Sequence, residues 1–322
     1  MPGSTSGKMQ QIAVAVVLAT LFGLPFLLAQ LGSKGEFWIW VTTEMIIMAL
    51  FAVSLNLIMG FGGMVSFGHA AFFGTGAYVV ALLMKKAGFG FLPALIIAPV
   101  AAAIVAAIIG WFCVRLTGLY FSILTLAFGQ LLYLVVFQAY SFTGGDDGIH
   151  GIPKPEILTP VNYYLLCLVI FLLCFVLMRM LINSCFGLTI RAIRENPERA
   201  RFLGVNDRRY QLLNFIIAGS FAGLAGGLFT ELNRFAQTEF LHWSKSAEPI
   251  LSSLVGGMFS LVGPAIGSTV LIFLKITIQQ IHKNLVEVWA IILGVILLVV
   301  VLFAPEGLVG LYQKLRQRNV KS

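Results

Sequence analysis

Eight stretches of about twenty residues, at roughly 11–31, 37–59, 92–114, 118–140, 161–182, 211–230, 264–281 and 286–304, carry no charge or almost none. A helix needs about 20 apolar residues to cross the hydrocarbon core of a bilayer. In lipid, moreover, every backbone polar group must find its partner within the protein, which restricts spanning segments to helices and closed barrels. Runs of this length and apolarity therefore read as transmembrane helices. Two further runs, roughly 64–84 and 249–262, are apolar but glycine-interrupted or short. Composition agrees: 59% of residues are hydrophobic and 11% charged, against about 25% charged in soluble proteins. So few charges cannot cover a water-exposed surface, and soluble enzyme classes are excluded. The expected fold is an all-α polytopic membrane protein. The net charge of +8 is read as cytoplasmic retention of basic loops, not as nucleic-acid binding.

The first run resembles a signal peptide only superficially. Its apolar stretch exceeds the usual length, and no A-x-A site follows Leu27, Leu28 and Ala29. It is read as the first spanning helix. Orientation follows from the loops. Arg179, Arg191, Arg194, Arg199, Arg201, Arg208 and Arg209 lie between Met178 and Leu212, opposed by Glu195, Glu198 and Asp207; the end of the chain carries Lys314, Arg316, Arg318 and Lys321. Both regions are expected in the cytoplasm. The loop 141–160, with Asp146, Asp147 and Glu156 against Lys154, suits the opposite side. Parity then counts 249–262 as a short crossing and gives ten crossings with both termini cytoplasmic, eight plus re-entrant segments being the alternative. Lys85, Lys86 and Lys283 fall outside in this arrangement. The expected organisation is a short cytoplasmic tail (1–10), a transmembrane domain (11–310) containing a cytoplasmic loop at 183–210, and a basic cytoplasmic tail (311–322).

No G-x-x-x-x-G-K-[ST] nucleotide loop is present; Gly3 to Lys8 is one residue short of one. No H-E-x-x-H, G-x-S-x-G or paired-carboxylate cluster occurs, and His69, His150, His242 and His282 are scattered. Catalytic, metal-binding and cofactor-binding residues are accordingly expected to be absent. Cys113, Cys167, Cys174 and Cys185 form no C-x-x-C pair and read as small buried hydrophobes. Charges inside the spans reduce to Glu44, Lys275 and Glu287. That is thin for a proton relay, and Glu44 and Lys275 could instead snorkel or pair with another helix.

Three features carry information. Residues 54–78, SLNLIMGFGGMVSFGHAAFFGTGAY, interrupt a spanning segment with six glycines. Broken membrane helices are tolerated where they line a cavity or are buried in protein. Asn56, Gly62, Gly63, Ser66, His69 and Thr75 are therefore candidates for a substrate pathway, close helix packing being the other reading. His69 taken alone suits a hydrogen-bonded helix end. Gly256 to Gly263 echoes Gly62 to Gly68 with one inserted residue, which suggests an internal repeat or chance similarity in a glycine-rich chain. Second, Gly219, Gly223 and Gly227 recur at i, i+4 and i+8, a ridge suited to close helix packing. Third, FGLTIRAIRENPERARFLGVNDRRYQLLNF (186–215) lies between two spans. Asn196 can cap a helix begun by Pro197, with Glu198 in its first turn. Capping, alternating charge and the apolar Ala200, Phe202 and Leu203 indicate a docking element for a cytoplasmic partner.

Glu198, Arg199, Ala200, three residues and then Gly204 resemble the Glu-Ala-Ala-x-x-x-Gly loop of bacterial ABC importer permeases, with Arg199 standing at the first Ala position. Together with LTGLYFSILTLAFGQ (116–130), FTGGDDGIHGIP (142–153) and LFAPEGLVG (302–310), the chain over about 40–310 resembles the branched-chain amino-acid permeases, specifically the LivM-type subunit. The segment LHWSKSAEP (241–249) is less typical, and urea, amide and aromatic-acid importers share the scaffold. The resemblance implies a bacterial inner-membrane transport subunit without enzymatic activity of its own. It would work with a second, LivH-like permease, two ABC ATPase subunits that bind ATP and Mg, and a periplasmic substrate-binding protein. Arg191, Arg194, Glu195, Glu198, Arg199, Ala200 and Gly204 would form the ATPase-docking loop. A secondary carrier or channel needing no ATPase, and a membrane-embedded enzyme, remain as alternatives.

Overall fold

The computed structural model describes residues 4–155, 158–281 and scattered positions between 291 and 314, with side chains from residue 15 onward. The expected spans at 286–304 and the tail 311–322 lie largely outside these residues. Among the described residues the chain is almost wholly helical: α1 (Ser4–Ala29), α2 (Ser33–Asn56), α3 (His69–Lys85), α4 (Phe91–Cys113), α5 (Gly118–Gln138), α6 (Tyr140–Thr143), α7 (Pro160–Asn183), α8 (Cys185–Glu195), α9 (Pro197–Phe202), α10 (Asp207–Asn233), α11 (Trp243–Gly256) and α12 (Gly263–Ile281). Two strands of two residues each, β1 (Ile149–His150) and β2 (Phe235–Ala236), pair antiparallel. Five of the described segments are long and apolar enough to cross a membrane: Ser33–Phe61, Phe91–Cys113, Gly118–Gln138, Pro160–Asn183 and Asp207–Asn233. Ala15–Ala29 and His69–Lys85 are shorter apolar helices. The protein is an all-α, multi-pass membrane protein.

The core forms where α10 lies against α3 and α4, with α2 packed on α10 and α12. Glycines set the helix spacing. A Cβ placed on Gly76 of α3 would lie 2.6 Å from the Gly223 Cα of α10, and one on Gly219 would lie 2.7 Å from the Ala106 methyl of α4. Backbones this close leave no room for side chains, which is how helices gain dispersion contacts in a solvent as apolar as themselves. Polar groups add to this packing: Thr230 Oγ1 donates to Ala77 O at 3.2 Å within the seam, and Tyr163 Oη of α7 donates to Leu228 O of α10 at 2.5 Å. Edge-to-face rings, such as Phe72 on Phe215 with centroids 5.2 Å apart, fill the layer around it.

The bundle has two distinct ends. One carries β1, β2, the loop 139–159 and the turn after α3. Here Lys85 Nζ donates to His150 O and Lys86 Nζ to Phe142 O, so both lysines stitch loops across this end. Arg234, at φ 63°, closes α10 and pairs with Glu231 at 2.8 Å. On the same loop Tyr140 Oη donates to Asp147 at 2.7 Å, and that bond together with the carboxylate charge raises the phenol's pKa.

The opposite end carries α8, α9 and two helix breaks. The run expected at 64–84 is broken: α2 ends in a π-helical turn (Leu57–Phe61), residues 62–68 are not helical, and α3 starts at His69. The short crossing expected at 249–262 has a different shape. Its helix is Trp243–Gly256, and 257–262 is irregular. Fourteen residues of helix reach only about 21 Å, so the chain descends from β2 through a 3₁₀ turn (Thr238–Leu241) before α11 begins. Gly307 packs on Gly257, so the segment beyond α12 has returned to this end by that point. The helix of α1 starts at Ser4, within the expected tail 1–10. Of the cysteines, Cys113, Cys167 and Cys174 are buried, whereas Cys185, expected to be buried, is exposed at the start of α8.

Candidate functional site

Asn196 Oδ1 accepts from Arg199 N at 2.9 Å and Pro197 occupies the first turn, so α9 begins where the capping pattern placed it. The helix ends in a Schellman motif. Gly204 adopts φ 83°, its N donates to Arg201 O at 2.9 Å, and Val205 N donates to Ala200 O at 3.1 Å. Only glycine takes this conformation without strain. Arg201 Nη2 pairs with Asp207 at 2.6 Å and ties α9 to the start of α10. Within this frame Ala200 is buried, Glu195, Glu198 and Arg199 are exposed, and Phe202 and Leu203 are 91% and 79% exposed. Two large apolar side chains thus stand exposed at the tip of a strongly charged helix.

The helix α8 buries Gly187, Ile190 and Ile193, while Arg194 is exposed at its end and reaches back to the breaks. Arg194 donates to Gly60 O in the π-helical turn, and its guanidinium lies 4.8 Å from the Phe259 ring in the second break. Gly63, at φ 70°, gives it room: a Cβ there would meet the Arg194 Cγ at 2.7 Å. Arg191 donates to Ile182 O at 2.5 Å and sits 5.7 Å from the Phe61 ring centroid. The two breaks also touch each other. Asn56 Nδ2 donates to Ser260 O at 3.1 Å, and Gly60 abuts the Met258 carbonyl. From α10, Asn214 Nδ2 donates to Leu57 O at 2.8 Å, a second bond to a carbonyl that already accepts from Gly62 N at 3.1 Å. One arginine therefore bridges the candidate docking loop and both breaks. That link joins residues 134 positions apart, and nothing local in the sequence signals it.

The candidate pathway residues separate into two groups. Asn56, Gly62, Ser66 and His69 are buried, whereas Gly63 is exposed and Thr75 half-buried. His69 opens α3 with its Nε2 2.9 Å from Ser54 Oγ. Among the described residues Asn56 Oδ1, Ser66 Oγ and His69 Nδ1 are buried with no hydrogen-bond partner. Thr75 satisfies itself, donating to Ala71 O at 2.7 Å. The ridge Gly219, Gly223 and Gly227 packs against α3 and α4 within the same chain; Gly226, which the i, i+4 stripe does not contain, abuts the Phe73 carbonyl.

A cavity of about 350 Å³ lies between α2, α11 and α12, on the side of the breaks toward β1 and β2. Glu44, Lys245, Glu248 and Lys275 line it, alongside apolar residues that include Met48 and Leu271. The sequence singles out Glu44 and Lys275, but not Lys245 or Glu248.

Similarity to known proteins follows this geometry. The profile of the branched-chain amino acid transport system permease component matches residues 39–301. The chain is 28% identical over 334 residues to the high-affinity branched-chain amino acid transport system permease protein LivM of Escherichia coli (strain K12), covering 95% of this chain and 76% of that one. It is 23% identical over 314 residues to the probable LivM permease of Methanocaldococcus jannaschii, covering 80% and 89%. To the LivH permease of Escherichia coli (strain K12) it is 22% identical over 289 residues, covering 81% and 91%. No solved structure matches it. With its profile extending from α2 past α12, the chain belongs to the branched-chain amino acid transport system permease family.

Proposed function

We propose that this chain is a permease subunit of an ATP-driven importer of branched-chain amino acids in a bacterial inner membrane. It crosses ten times with both termini and α8–α9 in the cytoplasm, and is coupled to separate subunits that bind ATP and Mg. One observation carries the reading: a capped helix bearing Glu198, Arg199, Ala200 and Gly204 presents Phe202 and Leu203 to solvent. A helix that merely orients the protein in the membrane gains nothing from exposed apolar anchors, whereas such anchors dominate the energetics of docking. Behind the tip, Arg194 joins α8 to both breaks, so displacement of the loop by an ATPase would reach the spanning helices directly. The three unpartnered polar atoms at the breaks suit a path for water or a passing solute.

The relatives named LivM and LivH support pairing with a second permease. A periplasmic binding protein would deliver substrate from the end bearing β1 and β2. Co-purification tests the reading: the wild-type chain, co-expressed with the ATPases of its importer, should retain them in detergent. Phe202→Ser/Leu203→Ser should lose them while remaining monodisperse. Retention by the double variant would remove α9 as the docking element.

A further inference from the structure

We infer that the cavity between α2, α11 and α12 is a transient binding site for a zwitterion with an apolar side chain. This rests on the importer reading above and adds to it where in this chain, and by which charged residues, the substrate would be held.

Charge inside a spanning bundle is costly and marks function when it persists. Here the charges are of both signs and balanced. Lys245 pairs with Glu248 at 2.7 Å, whereas Glu44 and Lys275 make no hydrogen bond or ion pair among the described residues, although both line the same cavity. An acid on α2 and a cation on α12, which face one another across a half-open cavity without a direct contact, are complementary to an α-ammonium and an α-carboxylate. The remaining wall is aliphatic, with Met48, Leu251, Leu271 and Ile276 among its residues, which suits a branched hydrocarbon side chain. The volume of about 350 Å³ lies at the small end of ligand sites.

Charge balance also sets specificity. Two acids and two lysines sum to zero, and a zwitterion leaves that sum unchanged. A carboxylic acid without an amine would satisfy Lys275 and leave Glu44 facing added negative charge. A neutral amide would leave both charges unpaired, and a buried polar site rejects the ligand that lacks its partner group. Position fits a path. Glu44 stands ten residues before Ser54 on α2, about 15 Å along the axis. The cavity therefore lies between the end bearing β1 and β2 and the breaks held by Arg194.

The test uses the assembled importer in proteoliposomes with its binding protein omitted, and a Cys185→Ser background, because the other three cysteines are buried. Leu251→Cys in that background is labelled with a small, membrane-impermeant thiosulfonate. Millimolar leucine should slow labelling at least threefold, while 4-methylpentanoate, isoamylamine and urea should not. Glu44→Gln and Lys275→Gln should each abolish protection, and with binding protein restored should raise the KM for leucine uptake. Unprotected Leu251→Cys together with wild-type uptake by both glutamine variants overturns the inference and leaves the importer reading standing. Equal protection by 4-methylpentanoate or urea overturns the zwitterion assignment. If the wild-type assembly takes up no leucine with ATP, the importer reading fails, and the inference with it.

Discussion

Replacing Gly76 by Ala adds one methyl group to α3 where α10 leaves no space for it. The new Cβ would sit 2.5 Å from Gly223 C and 2.6 Å from its Cα, and closer still to the carbonyl oxygen. Carbon atoms pack best at about 3.5–4.0 Å, so the helices must part by about 1 Å. A backbone cannot rotate away as a side chain can, and a gap of that size forfeits about a quarter to a half of each contact along the seam. Overpacking of this kind costs about 1–3 kcal/mol, and here the lost α3–α10 contacts add to it. Gly23→Ala is the control. A methyl group on this residue of α1 would have nothing within 4 Å, and a helical Gly→Ala change gains about 0.5–1 kcal/mol. Thermal unfolding in detergent, followed by loss of the monodisperse peak, should place Gly76→Ala clearly below wild type and Gly23→Ala at or above it. Equal midpoints for Gly76→Ala and wild type would refute the close backbone contact.

The ridge makes a related prediction. Gly223→Leu meets Ala102 of α4 and should prevent this chain from folding, seen as loss of the monodisperse peak with no partner present. Gly204→Ala forces an alanine to φ 83° in open space, a strain of about 1–2 kcal/mol; combined with Glu198→Ala it should lower uptake per ATP hydrolysed while the subunits still co-purify. Arg194→Ala removes the donor to Gly60 O and the contact with Phe259, and should leave ATPase association intact but uncouple hydrolysis from transport. Cys185 is exposed beside the loop end and should react with an impermeant thiol reagent in inside-out vesicles. Labelling only in right-side-out vesicles would reverse the orientation.

Spans such as α4 and α7 are legible because apolarity sustained over a bilayer's width has one solution, a helix. Local chemistry made α9 legible too, since Asn196, Pro197 and Gly204 act through bonds only a few residues long. The segment 235–262 is harder to read. Its helix begins at Trp243, capped by His242, whose side chain accepts from Ser244 N, and it includes Lys245 and Glu248, which in sequence resemble a polar loop. Those charges become interpretable only when α2 and α12 close a cavity around them. The Arg194 bridge and the β1–β2 pairing are likewise products of tertiary packing, joining segments far apart in the chain. Gly226 escapes a search for a single stripe because α3 crosses α10 over a broader strip than one i, i+4 row.

Transport by the reconstituted assembly tests the central claim most directly. Proteoliposomes holding this chain, its partner permease and the ATPases, supplied with binding protein, should accumulate labelled leucine only when ATP and Mg are present on the ATPase side. Omitting the ATPases or collapsing ion gradients separates the two drives: the first should abolish accumulation and the second should leave it unchanged. Accumulation that persists without ATPases and follows an ion gradient would contradict the account and make the protein a secondary carrier.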